Sequence, residues 1–390
     1  MCILIYSVPI LAIVGLKTMK KIKIIGGGIA GLTAAINLKR AGINVEVHER
    51  KEFCGKATRD FQFMENWIFK EDALAALKKF NINGNFYVKP WYSIEFISPT
   101  LKRCLKKSSE PVMYVLKRGP MEGAIDHALQ KQVTDAKIPI IYKSELTTGD
   151  ADIIAIGKNN PNFMITGISF PLDHPDSVMV FYDDRLSLKM YTYITVTDRV
   201  GQLVVINPAE RKDHEARLDL SIKRFEEIFD DKISTITHRF AAPGSLNFLK
   251  RARIENRYYV GEAAGFQDGL AGFGMMYAFR SGYHAAQSII QNVDYDRRWQ
   301  SDMLKPLEVS RINRYLFERL SNEGYEKLVK MLDSQNPVIV KLLGGDDLKS
   351  VLQKIYNHSP SYLLRPILFW RKLAPLYTFL LSLPGRLFSL

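Results

Sequence analysis

Apolar positions run with two different periods along this chain, and the switches between them mark its elements. Lys21 to Ile25 is a short apolar strand pattern, Ile29 to Ala41 (IAGLTAAINLKRA) repeats with helical spacing, and NVEVHE forms a second strand ending at Glu49. Gly42 supplies the stop between that helix and the second strand. Met113 to Val133 predicts a strand, a basic turn and a helix, and Ala151 to Lys158 (ADIIAIGK) a buried strand. The middle of the chain behaves differently. Asn85 to Ile97, Phe163 to Phe170, Ser177 to Tyr182 and Lys189 to Ile206 are strand-like runs rich in β-branched and aromatic residues. Tyr258 to Val260 is a further short strand, followed by a glycine-rich loop and a long helix from about Gly274. From Asp294 onward the pattern is helical.

The first strand–helix–strand carries a chemical signature. Gly26, Gly28 and Gly31 form G-x-G-x-x-G between strand and helix, and Glu49 stands eighteen residues after Gly31. In a dinucleotide-binding unit the three glycines allow the tight turn, the approach of backbone to a pyrophosphate, and close helix–strand packing. The helix N-terminus, with Ile29 and Ala30 in its first turn, offers unpaired N–H groups to phosphate. Glu49, with Arg50 beside it, is placed to accept hydrogen bonds from an adenosine ribose. An acid there suits an unphosphorylated ribose, so FAD or NAD is expected over NADP.

The far end of the chain chooses between those two. Arg257 to Ala286 reads RYYVGEAAGFQDGLAGFGMMYAFRSGYHAA, which resembles the second flavin motif of the para-hydroxybenzoate hydroxylase-type flavoproteins, most closely their geranylgeranyl reductase-like branch. The resemblance implies a bound FAD, with Gly261, Glu262, Ala263, Ala264, Gly272, Gly274 and Met275 in its site. Glu262 replaces that family's Asp on the ribityl chain. Arg118, after the strand of the third segment, resembles the family's arginine toward the phosphate or adenosine end. Cys54, Tyr191 and Tyr193 are the catalytic candidates that the resemblance offers, each competing with a plain packing role, while Arg59 and Gln62 follow the region near the ring. Two family elements are missing. Gly157–Lys158–Asn159 stands where the hydroxylases carry Asp-Gly, and no W-x-W-x-I-P segment of the flavin halogenases appears.

The expected fold class is α/β (α+β overall): a Rossmann-like FAD-binding domain interleaved with a mixed-sheet substrate domain, plus C-terminal helices. Its parts are an apolar extension 1–18, FAD-binding segments 19–84, 113–158 and 250–293, substrate segments 85–112 and 159–249, a helical region 294–358, and a tail 359–390. At 390 residues and 47% hydrophobic content the chain can bury more than one core. Three cysteines without CxxC spacing give neither a disulfide framework nor a zinc site, and no His pattern calls for a metal, so a reducing cytoplasm is expected. Residues 1–16 are uncharged and apolar but shorter than the roughly 20 residues of a membrane span. They lack the basic n-region and cleavage site of a signal peptide; a natural start at Met19 is the preferred reading, an interfacial anchor the second. The formal charge is +13, yet no nucleic-acid motif accompanies it. The tail, which holds Arg365, Arg371, Lys372 and Arg386 and no acid between Pro-broken apolar pieces, suits reversible attachment to an anionic membrane surface. The expected activity is reduction of C=C bonds in an isoprenoid or other apolar lipid-like substrate, with electrons from NAD(P)H or a ferredoxin-type protein. The alternative is a flavin monooxygenase acting on a hydrophobic small molecule.

Overall fold

The computed structural model describes residues 21–55, 61–83, 85–157 and 160–357, and in it the strands assort into three sheets. Along the chain come β1 (Ile22–Ile25), α1 (Ile29–Arg40), β2 (Val45–His48), β3 (Phe61–Glu65), α2 (Ala73–Lys79), β4 (Val88–Trp91), β5 (Ser93–Ile97), β6 (Arg103–Lys107), β7 (Met113–Lys117), α3 (Ile125–Asp135), β8 (Ile140–Ile141) and β9 (Ile153–Ile154). Next are β10 (Phe163–Pro171), β11 (Ser177–Phe181), β12 (Thr192–Thr197), β13 (Val200–Pro208), α4 (His214–Phe229), β14 (His238–Gly244), β15 (Arg253–Ile254), β16 (Arg257–Tyr259) and α5 (Met275–Gln291). The described chain closes with α6 (Tyr295–Trp299), α7 (Lys305–Phe317), α8 (Asn322–Leu332), α9 (Pro337–Leu343) and α10 (Leu348–Asn357).

The first sheet has the order β15-β16-β9-β1-β2-β8 and is parallel except at β15. Chain connection leaves β1 toward β2 on one side, while β9 pairs on the other, so β1 sits where the strand order reverses. Ligands of open α/β sheets bind at that point, outside the carboxyl ends of the strands. Helix α1 is buried from Ile29 to Leu38, as expected for a helix covered on several sides. It packs on α5, and Gly282 permits the contact: a Cβ there would overlap the carbonyl oxygen of Ala30.

The seven-stranded sheet β14-β10-β13-β12-β11-β5-β6 is antiparallel apart from the β5–β11 pair. Helix α4 closes one of its faces through Phe225, 5.1 Å from Phe170. A small third sheet, β3-β7-β4, joins the two. Two sequence runs are divided by the structure. Asn85 to Ile97 yields β4 in the third sheet and β5 in the seven-stranded one; Pro90 cannot donate in the ladder, which confines β4 to an edge. Lys189 to Ile206 folds back on itself at Asp198–Arg199, whose φ values of 51° and 63° make a two-residue hairpin turn without glycine. Among the described residues no helix is long and apolar enough to cross a membrane. Residues 1–18 and 359–390 lie outside the described residues.

Candidate cofactor site

Four strands of the first sheet end along one edge, and the residues that follow them face one another. Gly26 follows β1 with φ 107°, and any Cβ on it would overlap the carbonyl of Ala155 after β9. Gly31 sits so close beneath that turn that a Cβ would overlap the carbonyl oxygen of Gly26. Gly28 differs. Its φ of −85° is open to any residue, and a Cβ there would have nothing within 4 Å. It begins α1 with no side-chain cap and no acid in the first turn. That combination leaves a helix N-terminus facing free space, which fits a phosphate.

Glu49 follows β2 and folds toward the same turn. One carboxylate oxygen accepts from the Gly27 N–H at 2.8 Å, and the other from the Lys51 N–H at 2.9 Å. Arg50 points to the exposed side. Cys54 packs beneath, fully buried, and its Sγ would lie 2.7 Å from a Cβ on Gly27. Burial first, and then the Glu49 charge, push its thiol up to about 12. A thiol so disposed stays protonated and unreactive at neutral pH. Alkylation of Cys54 in the native protein at pH 8 is therefore expected to be at least tenfold slower than in the unfolded chain; equal rates, read by mass spectrometry, would remove it from the packed turn.

The second motif meets the first at Ala30. Gly261, with φ 56°, opens a short 3-10 turn through Glu262, Ala263 and Ala264, and its Cβ would lie 3.0 Å from that of Ala30. Its N–H donates to Ser281 Oγ of α5 at 2.8 Å. Glu262 is exposed and lies toward Gly157, where a Cβ would be 3.7 Å from its carboxylate. The loop beyond is pinned from within. Buried Asp268 accepts from the N–H groups of Leu270 and Ala271 at 3.1 and 2.6 Å and from the Tyr356 hydroxyl of α10 at 3.0 Å. Gly269 N–H donates to Ser310 Oγ of α7 at 2.9 Å. Gly272 has φ 77°, Gly274 begins α5, and Met275 is buried in its first turn. The carboxyl-terminal helices thus hold the loop that leads to the second helix N-terminus.

Arg118 is committed inside the protein. Its guanidinium makes a bidentate pair with Asp126 of α3 at 2.7 and 2.8 Å, and also donates to Gln62 of β3. Asp126 accepts from the Gly119 N–H at 2.9 Å as well, and a Cβ on Gly55 would overlap its carboxylate. Arg118 and Asp126 are 6% and 1% exposed, which makes the pair a buried one. Arg59 lies outside the described residues. Tyr191 donates its hydroxyl to the Ala271 carbonyl, and burial raises its pKa well above the ordinary value. Tyr193 packs on it with ring centroids 6.0 Å apart. Tyr191, just before β12, therefore braces the loop before Gly272, with Tyr193 of β12 packed on it.

One buried carboxyl carried no sequence signal. Glu65 ends β3, is 1% exposed, and accepts from the Met276 N–H of α5 at 3.1 Å. Burial pushes its pKa up to about 8. It lies opposite Met113 in the β3–β7 ladder.

Residues 24–85 match the NAD(P)-binding Rossmann-like domain family. No curated protein matches the chain by sequence. Among solved structures, a geranylgeranyl bacteriochlorophyll reductase-like protein from Thermoplasma acidophilum superposes with a TM-score of 0.68 at 16% identity, covering 86% of this chain and 98% of its own. A p-nitrophenol 4-monooxygenase from Pseudomonas putida gives 0.60 at 12% identity, covering 88% and 100%. A flavin-dependent brominase gives 0.56 at 14%, covering 92% and 98%. The chain has the mixed α/β fold of the FAD-dependent oxidoreductases, with a Rossmann-like domain. Reductase-like, hydroxylating and brominating proteins share that fold.

Proposed function

We propose that this protein is an FAD-dependent oxidoreductase that reduces C=C bonds of an isoprenoid or other apolar, lipid-like substrate. The observation that supports the reading best is the meeting of two motifs, more than 200 residues apart in the chain, at Ala30. The N-terminus of α1 would hold the pyrophosphate, Glu49 the ribose and Glu262 the ribityl chain. Bound FAD would supply the two-electron chemistry, and the protein its orientation and a water-poor setting. The uncapped start of α1 and the open space at Gly28 fit that group. Tyr191, whose hydroxyl binds the Ala271 carbonyl, Tyr193 packed on it and the pinned loop would border the substrate. The tail would bring the protein to an anionic membrane surface, where such substrates reside.

Reduction is preferred over oxygenation because the Asp-Gly element of the hydroxylases is replaced at Gly157–Lys158–Asn159. The same replacement argues that NADPH alone reduces the cofactor slowly, with a protein donor or substrate needed for speed. The purified protein should show a visible flavin spectrum, with the cofactor released by heat because no His or Cys stands in a flavinylation motif. After anaerobic reduction, the protein should saturate an isoprenoid double bond without oxygen. Rapid bleaching by NADPH alone, followed by incorporation of oxygen into a substrate on admission of air, would establish the monooxygenase instead. A chain that loads no flavin would overturn both.

A further inference from the structure

Between Arg297 and Arg311 the chain is one unbroken helical rod, because a π-helical turn at Gln300–Leu304 joins α6 to α7. The exposed residues of that stretch are Arg297, Ser301, Lys305 and Arg311, three of them cations. The segment from Phe248 to Arg253 runs beside the rod in the opposite direction. The Phe248 ring lies 5.2 Å from the Arg311 guanidinium, and the Lys250 carbonyl accepts from Gln300 Nε2 at 3.1 Å. The N–H groups of Ala252 and Arg253 then donate to Asp296 at 2.7 and 3.2 Å. That segment adds three more exposed cations, Lys250, Arg251 and Arg253. Together they form a basic strip roughly 20 Å long, at a helical rise of about 1.5 Å per residue.

None of the six cations forms an ion pair among the described residues, and the acids nearby are committed. Glu255 pairs with Arg257, Asp294 accepts from the Arg297 N–H, Asp296 accepts from Ala252 and from Trp299 Nε1, and half-buried Glu308 is engaged as well. With Arg257 and Arg298 the surface holds eight cations against those four acids, so its positive charge is in surplus. Arginines elsewhere are matched: Arg103 by Glu95, Arg185 by Asp183, Arg211 by Asp213 and Arg239 by Glu215. Two exposed apolar side chains adjoin the strip, Ile254 beside Arg253 and Val293 before α6. Helix α10 also packs on the rod, with Asn313 Nδ2 donating to the Ile355 carbonyl at 2.8 Å. The last described residues, just before the cationic tail, are thus held two residues along from Arg311.

We propose that this strip is the face by which the folded body lies on an anionic lipid surface, with Ile254 and Val293 entering the headgroup layer. That orientation rests on the functional reading's lipid-like substrate for its purpose, and on the strip for its geometry. A line of unmatched cations suits a plane of repeated anionic headgroups, which presents charge without a fixed pattern. A protein partner would call for an aromatic or apolar anchor near the middle of the contact. The exposed residues there are Ser301 and Lys305.

The test is sedimentation with phosphatidylcholine vesicles containing phosphatidylserine, at physiological ionic strength, using the full chain. One variant carries Arg251→Gln, Arg253→Gln and Arg297→Gln. A control carries Lys39→Gln, Arg40→Gln and Lys137→Gln, which removes the same charge from exposed positions outside the strip. Each cation near such a surface contributes roughly fivefold in affinity, so the strip variant should bind about a hundredfold more weakly. The control should stay within about threefold of the wild type, because charges beyond a screening length add little. Equal losses in both variants would make net charge alone responsible, and undiminished binding by the strip variant would assign the strip to another partner, an acidic protein included; either result overturns the proposal. Amide hydrogen exchange of the wild type, which needs no variant to fold, should slow over residues 250–257 with anionic vesicles and not with neutral ones. Absence of that local protection overturns the proposal too. Flavin loading and reduction of a detergent-dispersed isoprenoid should be unchanged in the strip variant. A wild-type chain that fails both while binding vesicles through the strip loses the functional reading and keeps the orientation.

Discussion

Gly28→Val is expected to give a folded protein that loads no FAD, and Gly31→Val a protein that does not fold. The two glycines are three residues apart in one motif, yet their surroundings differ completely. A Cβ at Gly28 meets nothing within 4 Å, and its φ of −85° suits any L-residue, so the cost to the apoprotein should be about 1 kcal/mol, that of a poor N-cap. The added methyl groups would instead fill the open space in which the proposed pyrophosphate would lie. At Gly31 the new side chain would overlap the Gly26 carbonyl oxygen and press on the Ala155 side chain, 3.1 Å from its Cβ. Neither backbone can yield without opening the β1–α1 junction, so a loss above about 4 kcal/mol is expected. Circular dichroism and urea unfolding report the fold, and the visible flavin spectrum reports the cofactor. Flavin retained by Gly28→Val would remove the phosphate from the start of α1.

The second large effect concerns Arg118. Arg118→Ala and Asp126→Ala should each cost the apoprotein roughly 3–5 kcal/mol, because each strands an uncompensated charge in the interior. Asp126→Ala should be the worse of the two, since the Gly119 N–H loses its acceptor as well. The joint replacement Arg118→Met with Asp126→Leu should cost much less than the sum, as paired apolar residues often substitute for a buried ion pair. Denaturant midpoints of the four proteins, arranged as a double-mutant cycle, give the coupling directly. An arginine serving as a phosphate contact would show the opposite pattern: apoprotein stability unchanged, and a weaker FAD affinity in Arg118→Ala alone. The bidentate geometry at 2.7 and 2.8 Å favours the first outcome.

The residues that were legible from the sequence are those whose task is local. Gly26, Gly28 and Gly31 act within six residues, between one strand and the helix it feeds, and the periodicities on either side mark that junction without reference to the rest of the chain. The same holds for Gly261 to Met275, where a strand, a turn and a helix succeed one another directly. At Gly26, Gly31, Gly261 and Gly272 glycine is demanded by backbone conformation or close approach, which a residue type can announce by itself. The runs of the middle segment rich in β-branched and aromatic residues likewise specified strands, because those side chains suit a pleated, extended backbone.

Tertiary structure decided what depends on a distant partner. The hairpin at Asp198–Arg199 has no glycine or proline to mark it, and only antiparallel pairing of the flanking strands holds two L-residues at positive φ. Asn85 to Ile97 looked like one strand until two different sheets claimed its halves. Arg118 read as a basic turn open to a ligand, whereas α3 supplies the carboxylate that binds it inside the protein. Glu65 carried no signal in the sequence. Its raised pKa follows from burial beside the first turn of α5, and burial is a sum over elements that no local window of sequence contains.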